Sequence, residues 1–251
     1  MRFAVASLVA LLLLRLPGAA QAQGQAVDLM VVLTADVSRS VDDGEFELQR
    51  KGYAAAVTDP RVLAAVRKGP NKAIAVTFIE WSGSDEQKVV VDWQRLSDEE
   101  DAGSIAAAIL APARTFTGRT SISAAIDFAM ARFPSAKWQS GRKVIDVSGD
   151  GTSNAGRALT EARDDAVKKG VTINGLAIVN NRPDMLYSSH THPPGGLPDY
   201  YKKNVIGGPG AFLFVVTDYN SFADAMAKKL VKEIEISGGA ERRQFAQAQP
   251  R

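Results

Sequence analysis

Asp36, Ser38 and Ser40 alternate along Asp36-Val37-Ser38-Arg39-Ser40, directly after the apolar run Leu29-Met30-Val31-Val32-Leu33. A carboxylate and two hydroxyls at alternate positions, where a buried strand ends, can turn toward one hard cation. Oxygen-only donors of low charge suit magnesium better than zinc or copper. Two further oxygen-bearing residues stand at comparable places. Thr120 follows Gly118-Arg119 at the head of a strongly periodic segment, and Asp150 lies in Gly149-Asp150-Gly151 after another apolar run. Asp36, Ser38, Ser40, Thr120 and Asp150 are the candidate ligands of a divalent cation: Mg²⁺, with Mn²⁺ or Ca²⁺ as substitutes. Each has a plainer reading. Ser38 and Ser40 can cap a helix starting near Val41, Thr120 can cap the next one, and Asp150-Gly151 can be only a turn.

These residues matter only if strands and helices bring them to one edge. The patterning supplies such a frame. Residues 29–35, 73–81, 142–148, 171–179 and 212–216 read as strands, and residues 41–57, 98–110, 120–133, 155–169 and 221–236 read as helices. The helix over 120–133 is the clearest, with Ile122, Ala125, Ile126, Ala129 and Phe133 on one face. Ser221 with Asp224 fits a capping box for the last helix. Residues 87–93 follow the Ser82-Gly83-Ser84-Asp85 turn closely enough to pair antiparallel with 73–81. The fold class predicted is α/β: a doubly wound, mostly parallel sheet with one antiparallel edge strand and helices on both faces. In such sheets ligands bind outside the carboxyl ends of the strands, where strand order reverses. Residues 180–209 form a long irregular stretch, and residues 237–251 show no core pattern and are expected to be disordered.

The motif and its placement resemble the metal-ion-dependent adhesion site of von Willebrand factor A domains, the integrin I-like domains. The resemblance spans residues 28–236. The phrases Val144-Ile145-Asp146-Val147-Ser148-Gly149-Asp150-Gly151 and Ile206-Gly207-Gly208-Pro209-Gly210-Ala211-Phe212 further resemble an uncharacterised bacterial family of exported A-domain-like proteins. The resemblance implies that Ser38 and Ser40 bind Mg²⁺ directly and that Asp36 and Asp150 act largely through water. Thr120 binds either way. A partner protein's Asp or Glu completes the ion, and the last helix moves with metal coordination. Asp146 departs from the pattern, standing where such strands carry an apolar residue; it reads as a buried acid paired with a base or as support for the site. Glu80, ending its strand near the same edge, could support the site but reads first as an edge carboxylate in solvent.

Composition narrows the function. Arg2, an apolar run over 3–14, Pro17-Gly18 and Ala20-Gln21-Ala22 read as a signal peptide cut after residue 22, leaving a domain over 26–236 that is exported to the periplasm or beyond. The run is too short to span a bilayer, so no integral membrane segment is expected in the mature chain. Removing Arg2 and Arg15 takes the formal charge from +2 to 0, which leaves no electrostatic footprint for nucleic acid. The pairs Lys168-Lys169 and Lys228-Lys229 read as solvated helix faces. The chain has no cysteine, which excludes thiolate metal sites and cysteine nucleophiles. His190-Thr191-His192 holds the only histidines, and the Pro193-Pro194-Gly195-Gly196 beside it reads as a solvated loop rather than half a metal site. No Gly-x-Ser-x-Gly elbow or phosphate-binding loop is present, and no nucleophile–base pair is legible. The chain therefore reads as a metal-dependent binding module and not as an enzyme. The alternatives are an A-domain scaffold with a structural metal and, behind it, a metal-dependent hydrolase.

Overall fold

The structure, a computed structural model, describes residues 25–179 and 188–248. The expected signal peptide lies outside them. The elements run β1 (Gln25–Ala26), β2 (Met30–Asp36), α1 (Asp43–Val57), α2 (Pro60–Arg67), β3 (Ile74–Trp81), β4 (Gln87–Leu96), α3 (Glu99–Leu110) and α4 (Ile122–Arg132). They continue with β5 (Trp138–Gln139), β6 (Lys143–Gly149), α5 (Leu159–Lys168), β7 (Val171–Ile178), α6 (Ser188–Thr191), α7 (Leu197–Asn204), β8 (Leu213–Val216) and α8 (Phe222–Ala248). Six strands form one sheet in the order β4-β3-β2-β6-β7-β8. β3 and β4 pair antiparallel and the other neighbours are parallel, as the alternation of strands and helices predicts.

The sheet is covered on both faces, which is why β2 reads as an unbroken apolar run rather than an alternating one. Val31, Leu33 and Ala35 point into a core shared with α1, α2, α3 and α8, while Met30 and Val32 point into a second core with α4, α5 and α7. From β2 the chain moves outward to β3 on one side, and it returns to β6 on the other. Strand order thus reverses between β2 and β6. Asp36 ends β2 and Asp150 follows β6, so both stand at that reversal.

Helix starts follow capping chemistry, with some changes of residue. Asp42 begins α1: its Oδ1 accepts from Glu45 N at 2.8 Å, and Glu45 Oε2 accepts from Asp42 N at 3.0 Å. Ser121 caps α4, accepting from Ala124 N at 3.3 Å. At the last helix the cap is Asp218 rather than Ser221, because the chain enters through a 3₁₀ turn over Tyr219–Ser221. α2 escaped the periodicity because only two residues separate it from α1. α7 lies inside the stretch expected to be irregular. Pro198 at its start is compatible with a helix, and Leu197, Tyr201 and Val205 bury at four-residue spacing. α8 runs twelve residues past Ile236 to Ala248, into the segment expected to be disordered. Ala, Glu, Arg and Gln prolong a helix readily once it is nucleated.

Two buried charge clusters correct the sequence reading. Lys229 was expected in solvent but is fully buried, with its Nζ 2.5 Å from Asp146 Oδ2 and 2.7 Å from Glu233 Oε1. Asn174 Nδ2 donates to the same Glu233 oxygen at 2.9 Å. Asp146 is therefore the buried acid with a base. Burial alone would lower the Lys229 ammonium, but the two carboxylates outweigh it and hold it above its ordinary value. Glu80, expected in solvent, is 1% exposed and takes a two-point ion pair from Arg50 at 2.7 and 2.9 Å. Arg50 also donates to the Ile109 carbonyl, so this pair fixes β3 against α1 and the end of α3.

Removing one partner of a buried cluster leaves the others uncompensated. Lys229→Met is expected to lower stability by ~3–5 kcal/mol in urea denaturation. A loss under ~1 kcal/mol, the usual scale for an exposed pair, would show that the cluster does not hold α8.

Candidate metal centre

Three loops meet at the β2–β6 reversal. The first leaves β2 and carries Ser38 and Ser40. Its shape is fixed locally by Asp36, whose Oδ1 accepts from Ser38 N at 2.8 Å. It is fixed from a distance by Arg114, whose Nη2 donates to the carbonyls of Val37, Ser38 and Val41 at 2.9, 3.0 and 2.8 Å. The second loop precedes α4. Arg39 N donates to Gly118 O at 3.0 Å, and Asn154 Oδ1 accepts from Thr120 N at 3.0 Å, so each loop is tied to the next. The third leaves β6. Gly149 there has no room for a side chain: a Cβ would lie 2.7 Å from the Tyr201 hydroxyl and 3.0 Å from Asp36 Oδ2.

The five predicted side chains come together as one linked set. Ser40 Oγ donates to Asp150 Oδ1 at 2.6 Å. Ser38 Oγ and Ser40 Oγ are 3.3 Å apart, and Thr120 Oγ1 donates to Ser38 Oγ at 3.0 Å. The plainer readings of the hydroxyls fail. Asp42 caps α1 and Ser121 caps α4, so Ser38, Ser40 and Thr120 are left to face one another.

The electrostatics are unfavourable as they stand. Asp36, Ser38, Thr120 and Asp150 are all at most 2% exposed. Burial raises the Asp36 carboxyl to about 6, against the pull of its Ser38 hydrogen bonds and of Arg114. Burial, and then the Asp36 charge, push Asp150 well above the usual carboxylate range. Asp36 Oδ2 and Asp150 Oδ2 are buried without a hydrogen-bond partner. The Tyr201 hydroxyl is buried without one too, and burial followed by the charges of Asp36 and Asp150 raises its pKa. Two buried acids with idle oxygens beside three hydroxyls fit a divalent cation. Among the described residues no three His, Cys, Asp or Glu side chains form a metal-binding group by themselves, so a cation here would need hydroxyls among its donors.

His190 was read as part of a solvated loop. Instead α6 sets it half-buried against the site, with Nε2 3.0 Å from Thr120 Oγ1 and Nδ1 3.0 Å from Thr152 Oγ1. Burial lowers its pKa. A cleft of about 230 Å³ opens here between Ser40, Thr120, Asn154 and His190, with exposed Arg39 and Arg119 on its rim. Sequence reasoning missed Arg114, Tyr201 and His190. None has a spacing relation to Asp36, and only the rarity of histidine marked His190 out.

The fold is that of von Willebrand factor A proteins. The mussel byssus proximal thread matrix protein 1 with a zinc-occupied MIDAS motif superposes with a TM-score of 0.55 at 15% identity, over 85% of this chain and 46% of that one. A von Willebrand factor type A protein from Catenulispora acidiphila gives 0.54 at 16%, over 83% and 43%. The open conformation of the pilus adhesin SpaC from Lactobacillus rhamnosus GG gives 0.56 at 15%, over 84% and 30%. The chain spans less than half the length of each. No curated protein matches it, and no helix among the described residues is long and apolar enough to cross a membrane. The family described as "Protein of unknown function (DUF1194)" matches residues 26–238, and the chain belongs to that family.

Proposed function

We propose that this chain is an exported, metal-dependent protein-binding module. Asp36, Ser38, Ser40, Thr120 and Asp150 hold one divalent cation, and a partner's Asp or Glu carboxylate completes its coordination. The observation that carries this reading is the pair of buried carboxylates, each with an idle oxygen, facing three hydroxyls freed from capping. Two ligands about 2.1 Å from an ion and at right angles lie about 3.0 Å apart. The Ser38–Thr120 separation of 3.0 Å and the Ser38–Ser40 separation of 3.3 Å match that spacing. When bound, the ion supplies the positive charge that the two acids lack and a Lewis-acidic position for an incoming carboxylate. Asp36 and Asp150 orient water and hydroxyls around it, and exposed Arg39 and Arg119 favour an anionic partner. The zinc-occupied motif of the mussel protein supports the reading by analogy of fold alone.

The Thr120–His190 contact also has the spacing of a nucleophile and its base. Thr120 is 2% exposed and its hydroxyl donates to Ser38, so it does not present itself to an incoming substrate. The binding reading accounts for it better.

Calorimetric titration with Mn²⁺ is expected to show one site on the wild type and none on Asp36→Ala. Equal heats from the two proteins would refute the site as drawn. A pull-down from envelope extract in Mg²⁺ is expected to retain an acidic-surfaced partner that EDTA releases. Retention that survives EDTA, with stability lost on chelation, would make the metal structural only.

Stability should also depend on pH in a defined direction. The folded Asp36 pKa of about 6 lies above the ordinary 3.8, so the folded state binds that proton more tightly than the unfolded chain does. The stabilisation is full below about pH 4 and is lost as pH rises through about 6; Asp150 acts in the same direction. Metal-free protein is expected to melt lower at about pH 7.5 than at about pH 5, by on the order of 1–3 kcal/mol in stability. Mn²⁺ at the higher pH should restore it. A metal-free melting temperature that rises over that interval would contradict the burial of two unpaired acids.

A further inference from the structure

His190 lines the cleft beside Ser40 and Thr120. Its Nε2 is 3.0 Å from Thr120 Oγ1, the separation of neighbouring ligands around a six-coordinate ion. Ser38 Oγ and His190 Nε2 each lie 3.0 Å from Thr120 Oγ1. The ring is held in place from behind. Its Nδ1 meets Thr152 Oγ1 at 3.0 Å and Asn154 Nδ2 at 3.4 Å, and the His190 carbonyl accepts from Thr152 N at 3.1 Å. A second partner on the far nitrogen is the arrangement that orients a metal-binding imidazole. The space is reserved for it as well: a Cβ on Gly151 would fall 2.1 Å from His190 Nε2.

We propose that His190 is a nitrogen ligand supplied by the chain itself to the cation of this site. The inference rests on the metal-site reading above and changes its chemistry. Hydroxyl and water donors alone favour magnesium or calcium, whereas an added imidazole favours zinc, cobalt or nickel. The site thereby becomes one for a borderline transition metal, and a partner's carboxylate reaches the ion in competition with His190 or at a water position beside it.

The test is calorimetry of the full mature chain with Zn²⁺ and, separately, with Mg²⁺, on the wild type and four variants. His190→Ala is expected to weaken Zn²⁺ binding by about tenfold or more and to leave Mg²⁺ within about threefold. His190→Gln keeps a hydrogen bond to Thr120 but supplies no imidazole nitrogen. It should behave like His190→Ala if the ring is a ligand, and like the wild type if the ring only positions Thr120. Gly151→Ala, whose Cβ would displace the ring while leaving residue 190 unchanged, should reproduce the Zn²⁺ loss. Ser38→Ala should weaken both metals and identifies the site being titrated. Zn²⁺ affinity unchanged in His190→Ala, or restored in His190→Gln, overturns the proposal while leaving the metal site standing. Absence of any binding to the wild type overturns the metal site, and this inference with it.

Discussion

Asp36 and Asp150 are withdrawn from water side by side at the point where strand order reverses. Burial disfavours the charge of both, the Asp36 charge further disfavours that of Asp150, and neither has a hydrogen-bond partner on its idle oxygen. A fold would ordinarily avoid this. Desolvating one carboxylate is already costly, and desolving two together compounds the cost through their repulsion. The surrounding structure is built to hold them there. β2 and β6 are adjacent and in register, which sets the two carboxylates on neighbouring strand ends. The Ser38 backbone and the Ser40 hydroxyl each occupy one oxygen and leave the other turned inward.

Keeping the hydroxyls available depends on residues that do not belong to the cluster. A serine near a helix start is ordinarily consumed as a cap. Here Asp42 and Ser121 take that work, one place or more along the chain from the candidate donors. Arg114 then gathers three carbonyls of the Ser38 loop onto one guanidinium nitrogen, which fixes a loop that has no regular secondary structure of its own. Its charge lowers Asp36 somewhat without pairing with it. Rigidity is thus obtained without neutralising the acids, as the proposed cation site requires.

The middle of β6 is governed by the opposite rule. Asp146, within β6 and four residues before Asp150, is also fully buried, but it is matched by Lys229 from α8. The site's strand is therefore bonded through an ion pair to the last helix. Displacing α8 would separate Lys229 from Asp146 and leave a buried charge on each side, a barrier that a helix held by apolar contacts alone does not face.

The sequence by itself determined the sheet and the edge at which Asp36, Ser38, Ser40, Thr120 and Asp150 come together. Apolar runs and helical periodicity report burial directly, and a βαβ chain puts every strand's carboxyl end on one side. The sequence left Asp146 open between a buried acid with a base and support for the site, and Lys229 in the structure supplies the base. Tertiary structure decided what local spacing cannot encode. That Glu80 and Lys229 are buried depends on Arg50 and Asp146, partners 30 and 83 positions away, and a lone charged residue otherwise reads as solvated. That Arg114 organises the Ser38 loop, and that His190 lies against Thr120 some 70 residues earlier, follows from where α1, α6 and the loops pack. Periodicity records which residues leave water, but the partner that permits a polar group to do so is chosen only when distant elements close on one another.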